Sequence, residues 1–193
     1  MPQPLRTFVA VESPRKMRDR ACNLIGKLST TSASVRWVEP EQMHWTLAFL
    51  GDVRMGDVAG VCRAVGRGAK SVEPFTLHAQ GAGAFPNAER PRTIWLGTSE
   101  GSDELISLHD AIEAELEKIG FRGERRRFRP HLTLGRVRRS LPDEVSQLGE
   151  LVEKYASFDA GSMHIDQVVV FSSRLTRRGP TYDVLGRAAL ASG

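Results

Sequence analysis

The sequence of 193 residues predicts an α+β protein of two lobes, each an antiparallel-rich sheet backed by helices, with a central cleft between them. Two observations lead to this prediction. Short segments typical of strands alternate with segments of helical periodicity along the whole chain. A tetrapeptide pattern, His-x-Thr-Leu, also occurs once in each half, at residues 44–47 and 131–134. The length suits one domain over residues 1–193, so we expect two pseudo-symmetric lobes within it.

The first half of the chain predicts three strands and two helices. Residues 7–11 form a strand, and Ser13 then caps a helix that has Pro14 at its first position and runs to about residue 28. A short strand at 35–38 and a turn at 40–42 lead into the first motif strand, residues 44–50, which Gly51 ends. A helix follows from residue 57 to about 66.

The second half predicts more strands around two longer helices. Strands near 75–79 and 93–97 are joined by a loop at 81–91 that contains glycine and proline. Apolar residues at helical spacing predict a helix over 102–119, with Gly120 as its stop. The remaining elements are the second motif strand at 131–137, a helix at 142–154, and strands near 157–164, 167–171 and 182–185.

Composition and charge narrow the class of protein and of partner. No apolar run is long enough to span a bilayer, and the first residues lack the apolar region of a signal peptide, so we expect a cytoplasmic protein that does not enter membranes. We also expect a monomer. Cys22 and Cys62 are predicted to be reduced and to hold no zinc.

The net charge is +4. Eight arginines flank the second motif: Arg122, Arg125, Arg126, Arg127, Arg129, Arg136, Arg138 and Arg139. This cluster favours a polyanionic partner such as RNA, although a solvated basic loop explains it equally well.

Strand alternation assigns a face to each motif residue. Side chains at i and i+2 point the same way, so His44, Thr46, Ala48 and Leu50 are predicted to face the cleft. Met43, Trp45, Leu47 and Phe49 are predicted to face the core. The second motif likewise places His131, Thr133 and Gly135 toward the cleft, and Leu132 and Leu134 toward the core.

Two histidines and two threonines in one cleft can move two protons around a phosphate. Histidine titrates near neutral pH, so one imidazole can act as general base and the other as general acid on opposite sides of a phosphorus atom. Thr46 and Thr133 can donate hydrogen bonds to the non-bridging oxygens. No metal-ligand motif such as His-Glu-x-x-His is present, so we expect no metal and no cofactor. His109 is predicted to lie on a helix surface, and His78 and His164 to be structural.

At these residues the chain resembles the two-histidine (2H) phosphoesterases, and within them the RNA 2′,3′-cyclic phosphodiesterases, also called 2′-5′ RNA ligases. The first motif region, Trp-Val-Glu-Pro-Glu-Gln-Met-His-Trp-Thr-Leu-Ala-Phe-Leu-Gly at 37–51, is a close match. The second, Phe-Arg-Pro-His-Leu-Thr-Leu-Gly-Arg at 128–136, also matches. Further resemblance lies in residues 6–11, in 83–86 with Pro91, Arg92 and Trp95, and in 173–175 with Gly179, Pro180 and Tyr182.

The resemblance implies hydrolysis of a terminal RNA 2′,3′-cyclic phosphate to a 2′-phosphate, with 2′-5′ ligation as the reverse reaction. It implies that His44 is the proton donor and His131 the proton acceptor, that the threonines hold phosphate oxygens, and that Arg136 contacts the phosphate. Arg129 and Phe85 are further candidates for substrate binding. Two alternatives stay open: an RNA- or nucleotide-binding module without catalysis, and a 2H enzyme that opens a small cyclic phosphate.

Overall fold

A computed structural model describes residues 3–123, 127–176 and 179–191. Arg125 and Arg126, part of the predicted basic cluster, lie outside the described residues. The strands are β1 (Leu5–Glu12), β2 (Val35–Trp37), β3 (His44–Val53), β4 (Phe75–Phe85), β5 (Thr93–Glu100), β6 (Leu132–Val137), β7 (Asp159–Ile165), β8 (Gln167–Thr176) and β9 (Gly179–Ala189). The helices are α1 (Arg15–Leu28), α2 (Val58–Ala69), α3 (Ser102–Glu117) and α4 (Pro142–Lys154). The predicted α+β class is confirmed.

The strands form one antiparallel sheet in the order β7-β4-β5-β6-β3-β1-β8-β9, and β2 pairs with β6. The sheet has two halves. In the first lobe, β1, β3, β8 and β9 are backed by α2 and α3; in the second, β4, β5, β6 and β7 are backed by α1 and α4. The chain exchanges helices between the lobes, because α1 follows β1 yet packs against β7, and α3 follows β5 yet packs against β3.

The lobes join where β3 meets β6, and in the described residues this pairing consists of Trp45 opposite Leu132. The later part of β6 instead pairs with β2, where Trp37 lies opposite Gly135. The two motif strands therefore touch at their beginnings and then diverge. Trp45 and Leu132 are both buried in the large core under the sheet, so the junction is anchored by apolar packing.

Several elements extend beyond their predicted limits. The segment 81–85, predicted as loop, belongs to β4 and pairs with β5. Gly83 in this segment has a packing role, since a Cβ there would lie 2.2 Å from the ring of Trp95. Strand β3 passes through Gly51, which adopts a φ of 67° that glycine tolerates, and ends at Val53. The prediction for Ser13 was wrong: α1 is preceded by Pro14 without a side-chain cap, and the Ser13 hydroxyl is buried without a partner among the described residues.

Cys22 lies on α1 and Cys62 on α2, and both are free thiols as predicted. Within the described residues, no helix has the length and apolar character needed to cross a membrane.

Candidate active site

The junction of β3 and β6 places the two motifs against each other. Trp45 and Leu132 point into the core, so the residues on either side of each point to the opposite face of the sheet, which is the cleft. The antiparallel register set by this pair brings His44 across from Thr133 and Thr46 across from His131. Each lobe thus contributes one imidazole and one hydroxyl to the same cleft, in a pseudo-twofold arrangement.

His44 lies in an aromatic environment. Its ring centroid is 4.8 Å from that of Phe8 and 5.3 Å from that of Tyr182, which meets it edge-on. Its Nδ1–H donates to the Gln42 carbonyl at 2.7 Å. Burial lowers the pKa of His44 from an ordinary 6.5 to about 4, against a smaller opposing effect of that hydrogen bond. His44 is therefore neutral at pH 7.

His131 is held in the same way from the other lobe. Its Nδ1–H donates to the Arg129 carbonyl at 2.7 Å, again two residues upstream. The ring of Phe85 meets it edge-on at a centroid distance of 5.0 Å. The guanidinium of Arg129 lies over Phe85, 4.9 Å from the ring centroid, as a cation–π contact. Phe85 and Arg129 therefore contact or orient His131.

The two hydrogen bonds determine the tautomer of each neutral imidazole. A carbonyl oxygen can only accept, so Nδ1 must carry the proton in both rings. The lone pair of a neutral ring then lies on Nε2, which is the atom available to accept or return a proton. His44 and His131 are thus fixed in equivalent orientations, each ready for proton transfer through Nε2.

The threonine hydroxyls are available as donors. Thr46 and Thr133 are both half-buried on the cleft face. Among the described residues, no hydrogen bond involves either Oγ1. A hydroxyl without a protein partner at the entrance of a cleft can donate to a bound oxyanion.

Both motif strands contain a β-bulge at the leucine of the motif. In β3 the partners of Val9 and Ala10 are Ala48 and Thr46, so Leu47 is the extra residue. In β6 the partners of Ile94 and Trp95 are Gly135 and Thr133, which makes Leu134 the extra residue. A bulge of one residue reverses the alternation that follows it. Phe49 and Arg136, each two residues after the extra leucine of its strand, therefore share the cleft face with the threonines.

The bulges correct four of the predicted orientations. Ala48 and Gly135, predicted to face the cleft, turn toward the core side; a Cβ on Gly135 would lie 2.6 Å from the Trp37 ring. Phe49, predicted to face the core, is 57% exposed and lies 6.1 Å from the ring of Phe8. Leu50, predicted to face the cleft, packs against the main core; it is the extra residue of a second irregularity in β3, because Gly51 and Phe49 pair with consecutive residues of β1.

Each bulge leaves a carbonyl that an outside group satisfies. The Leu134 carbonyl accepts from the Val38 backbone N–H at 2.8 Å. The Leu47 carbonyl accepts from His109 Nδ1–H at 2.7 Å. His109 was predicted to lie on the surface, but it is 9% exposed and its ring stacks on Phe128 at 4.1 Å. It links the first motif strand to the segment that leads into the second motif, and neither contact has a signal in the sequence.

Arg136 is the residue that the resemblance implies as a phosphate contact. It lies on the cleft face of β6, where its Nη1 donates to Thr93 Oγ1 at 3.3 Å. Arg36 of β2 lies directly opposite it. Burial raises the pKa of the Tyr182 hydroxyl, against the opposing charges of Arg136, Arg36 and Arg6. Three cations therefore surround the tyrosine that packs on His44. Phe8, Tyr182 and Arg36 were not singled out in the sequence as site residues.

Within the described residues, no group of three or more histidine, cysteine or acidic side chains is arranged to hold a metal ion. A bilobal α+β fold with two His-x-Thr pairs across one cleft, both imidazoles presenting Nε2, defines a phosphoesterase of the two-histidine class.

Comparison with known proteins gives the family. The profile of the LigT like phosphoesterase family matches residues 11–95 and again residues 96–182, once for each motif. The chain belongs to this family.

Named relatives and solved structures extend over the whole chain. It is 36% identical to the RNA 2′,3′-cyclic phosphodiesterase of Methanothermobacter thermautotrophicus, over 92% of this chain and 95% of that protein. The protein of the same name from Thermotoga maritima is 32% identical over 98% and 97% of the two chains. Escherichia coli LigT, in a crystal structure with 3′-AMP, superposes with a TM-score of 0.78 at 26% identity, over 98% of this chain and 99% of that one.

Proposed function

We propose that the protein is an RNA 2′,3′-cyclic phosphodiesterase that hydrolyses a terminal 2′,3′-cyclic phosphate to a 2′-phosphate. The observation that carries the proposal is the equivalent presentation of His44 and His131, each fixed through Nδ1 by a carbonyl two residues upstream. The names of the relatives support the substrate class.

The reaction follows from the placement of the two imidazoles. His131 Nε2 takes a proton from water as its oxygen attacks phosphorus. The bond between phosphorus and O3′ breaks, and His44 Nε2–H protonates the departing O3′, which leaves the phosphate on O2′. Thr46, Thr133 and Arg136 donate to the non-bridging oxygens, whose negative charge increases in the transition state.

The low pKa of His44 imposes a condition on this assignment. Burial alone keeps the imidazole neutral at pH 7, yet a proton donor must be protonated. The cyclic phosphate carries a negative charge, and an opposite charge next to an imidazole raises its pKa. We infer that His44 gains its proton when the phosphate binds, so that the substrate completes the catalytic machinery.

The test uses an RNA oligonucleotide that ends in a 2′,3′-cyclic phosphate, incubated with purified protein in EDTA. The products are resolved into 2′- and 3′-phosphates, with His44→Ala, His131→Ala and His164→Ala assayed in parallel. His164 is exposed on β7 and is the matched control. We expect 2′-phosphate from the wild type and His164→Ala, and none from the other two. Bound RNA without turnover would favour a binding module, and turnover in both motif variants would place the active site elsewhere.

We also propose that one chain, as a single domain of two pseudo-symmetric lobes, forms the complete site and acts as a monomer on RNA ends in the cytoplasm. The support is that both histidines, both threonines and Arg136 come from the same chain. Sedimentation at assay concentration and fractionation of cells test the two statements separately.

A further inference from the structure

A cavity of about 440 Å³ lies beside Arg136 and is lined by four arginines, Arg90, Arg92, Arg138 and Arg139. We call it the arginine pocket. Its remaining lining residues are Pro91, Val137, Ser140 and Val145. The four guanidinium groups belong to exposed side chains around a partly apolar base, and no lining residue is acidic.

The pocket begins at Val137, the residue after Arg136, where β6 ends and Val137 packs against the core. Arg136 pairs with Thr93 across β6 and β5, and the next residues along the two strands are Val137 and Arg92. The Val137 N–H donates to the Arg92 carbonyl at 2.9 Å, so the strand pairing continues to the pocket. The Arg138 N–H donates to the Ser34 carbonyl at 2.7 Å, which fixes the backbone on the other side. Strand geometry then separates the Cα atoms of Arg136 and Arg138 by about 6–7 Å.

The charges of this region are not balanced within the protein. No ion pair among the described residues involves Arg36, Arg136 or any arginine of the pocket. Arg36 and Arg136 are directly opposed on neighbouring strands, an arrangement of like charges that destabilises a sheet. An anion between or beside them removes this repulsion. Arg36 and Arg136 on the cleft face, together with the four exposed arginines at the end of β6, therefore fit a ligand with several negative charges in succession.

We propose that the arginine pocket binds phosphates of the RNA backbone on the 5′ side of the terminal nucleotide. This inference rests on the proposed function. Because the cyclic phosphate lies at the 3′ end, the rest of the RNA continues in the 5′ direction, and its next anions are the backbone phosphates. Arginine binds a phosphate through two parallel N–H groups, so four arginines can hold one or two phosphates without reading the base. The substrate is then an RNA chain, and a mononucleotide uses the cleft alone.

The test compares two substrates on two double variants. The substrates are a nucleoside 2′,3′-cyclic phosphate and an RNA tetranucleotide with the same 3′ end. Arg138→Gln/Arg139→Gln removes two charges from the pocket while leaving the backbone hydrogen bonds in place. Arg15→Gln/Arg20→Gln removes the same charge from exposed positions of α1 and is the matched control.

For the wild type we expect kcat/KM on the tetranucleotide to exceed that on the mononucleotide and to fall with increasing salt. The pocket variant should lose about tenfold or more on the tetranucleotide, mainly through KM, with a smaller salt slope. Its activity on the mononucleotide should stay unchanged, and the control should match the wild type on both substrates.

Two results would overturn the inference: equal kcat/KM on both substrates in the wild type, or an equal loss on both substrates in the pocket variant. A loss of the same size in the control would reduce the effect to net charge and would also overturn it. Failure of the proposed function looks different, because the wild type would then turn over neither substrate, or only the mononucleotide if it opens small cyclic phosphates.

Discussion

Acidification from pH 7 to pH 4.5 should destabilise the folded protein through His44. Burial beside Phe8 and Tyr182 holds the pKa of this imidazole at about 4, whereas an unfolded chain exposes it at its ordinary 6.5. Between these values the unfolded state binds a proton that the folded state does not. The free energy of unfolding therefore decreases as the pH falls from about 6.5 towards 4.

The size of the effect follows from the two pKa values. At roughly 1.4 kcal/mol for each pH unit, the difference between 6.5 and about 4 corresponds to about 3 kcal/mol. At pH 4.5 the folded imidazole is partly protonated, so about 2 kcal/mol of this has been lost relative to pH 7. That is a large fraction of the stability of an ordinary domain, about 5–15 kcal/mol.

The assay is urea unfolding at pH 7 and pH 4.5 in buffers without phosphate, for the wild type, His44→Asn and His164→Asn. The asparagine amide preserves a donor toward the Gln42 carbonyl but does not titrate. The pH-dependent loss should be about 2 kcal/mol smaller in His44→Asn than in the wild type, while His164→Asn should follow the wild type. Equal losses in all three proteins would refute the argument that His44 is buried in its neutral form. An NMR titration of the His44 ring with a midpoint near 6.5 would refute it as well.

Three further predictions concern the same site. Binding of a 2′-nucleotide at pH 7 should be accompanied by uptake of about one proton by the protein. Calorimetry detects this uptake because the binding enthalpy then depends on the ionisation enthalpy of the buffer, and the dependence should disappear in His44→Asn. Binding without proton uptake in the wild type would show that His44 is not the donor. His109→Phe should keep the stack on Phe128 but leave the buried Leu47 carbonyl without its donor, at a cost of about 1–3 kcal/mol in urea unfolding and with a lower kcat. His109→Asn should restore much of that kcat, and equal defects in the two variants would contradict a positioning role. Gly135→Ala should lower the free energy of unfolding by about 1–3 kcal/mol, because the added Cβ meets the Trp37 ring. The control is Gly26→Ala in α1, whose Cβ meets nothing within 4 Å, and it should raise the free energy of unfolding by about 0.5–1 kcal/mol. Similar effects in the two variants would refute the packing argument.

Strand alternation predicted the orientation of the motif side chains correctly up to each threonine and failed immediately beyond it. Alternation places His44 and Thr46 correctly because the strand is regular there. Leu47 and Leu134 are ordinary strand residues, so nothing in their identity indicates a bulge that reverses Phe49 and Arg136. Whether a bulge forms depends on donors from elsewhere, His109 for one leucine and Val38 for the other, and such tertiary contacts have no local signal.

The predicted helices and strands likewise agree with the structure where local sequence decides them and differ where packing against distant residues decides them. The helix predicted over 142–154 agrees with α4, because Pro142 and the apolar spacing are local properties. The prediction for residues 81–85 was wrong, because glycine was interpreted as a loop signal while its role is to let the Trp95 ring lie against β4. Placement of α1 on the second lobe and α3 on the first is likewise set by packing, which sequence periodicity does not contain.

The bulges turn an equivalent residue of each motif strand toward the cleft, and this residue is apolar in one lobe and charged in the other. This asymmetry supports the assignment of the proton donor. In the first lobe the reversed residue is Phe49, next to Phe8, and His44 lies in this apolar half of the cleft. In the second lobe it is Arg136, on the same strand as Thr133. Low polarity around His44 limits loss of its proton to water once the phosphate has brought that proton in, as a donor to O3′ requires. We therefore infer that the bulge in β3, which brings Phe49 next to Phe8, contributes to the direction of proton flow together with the two histidines.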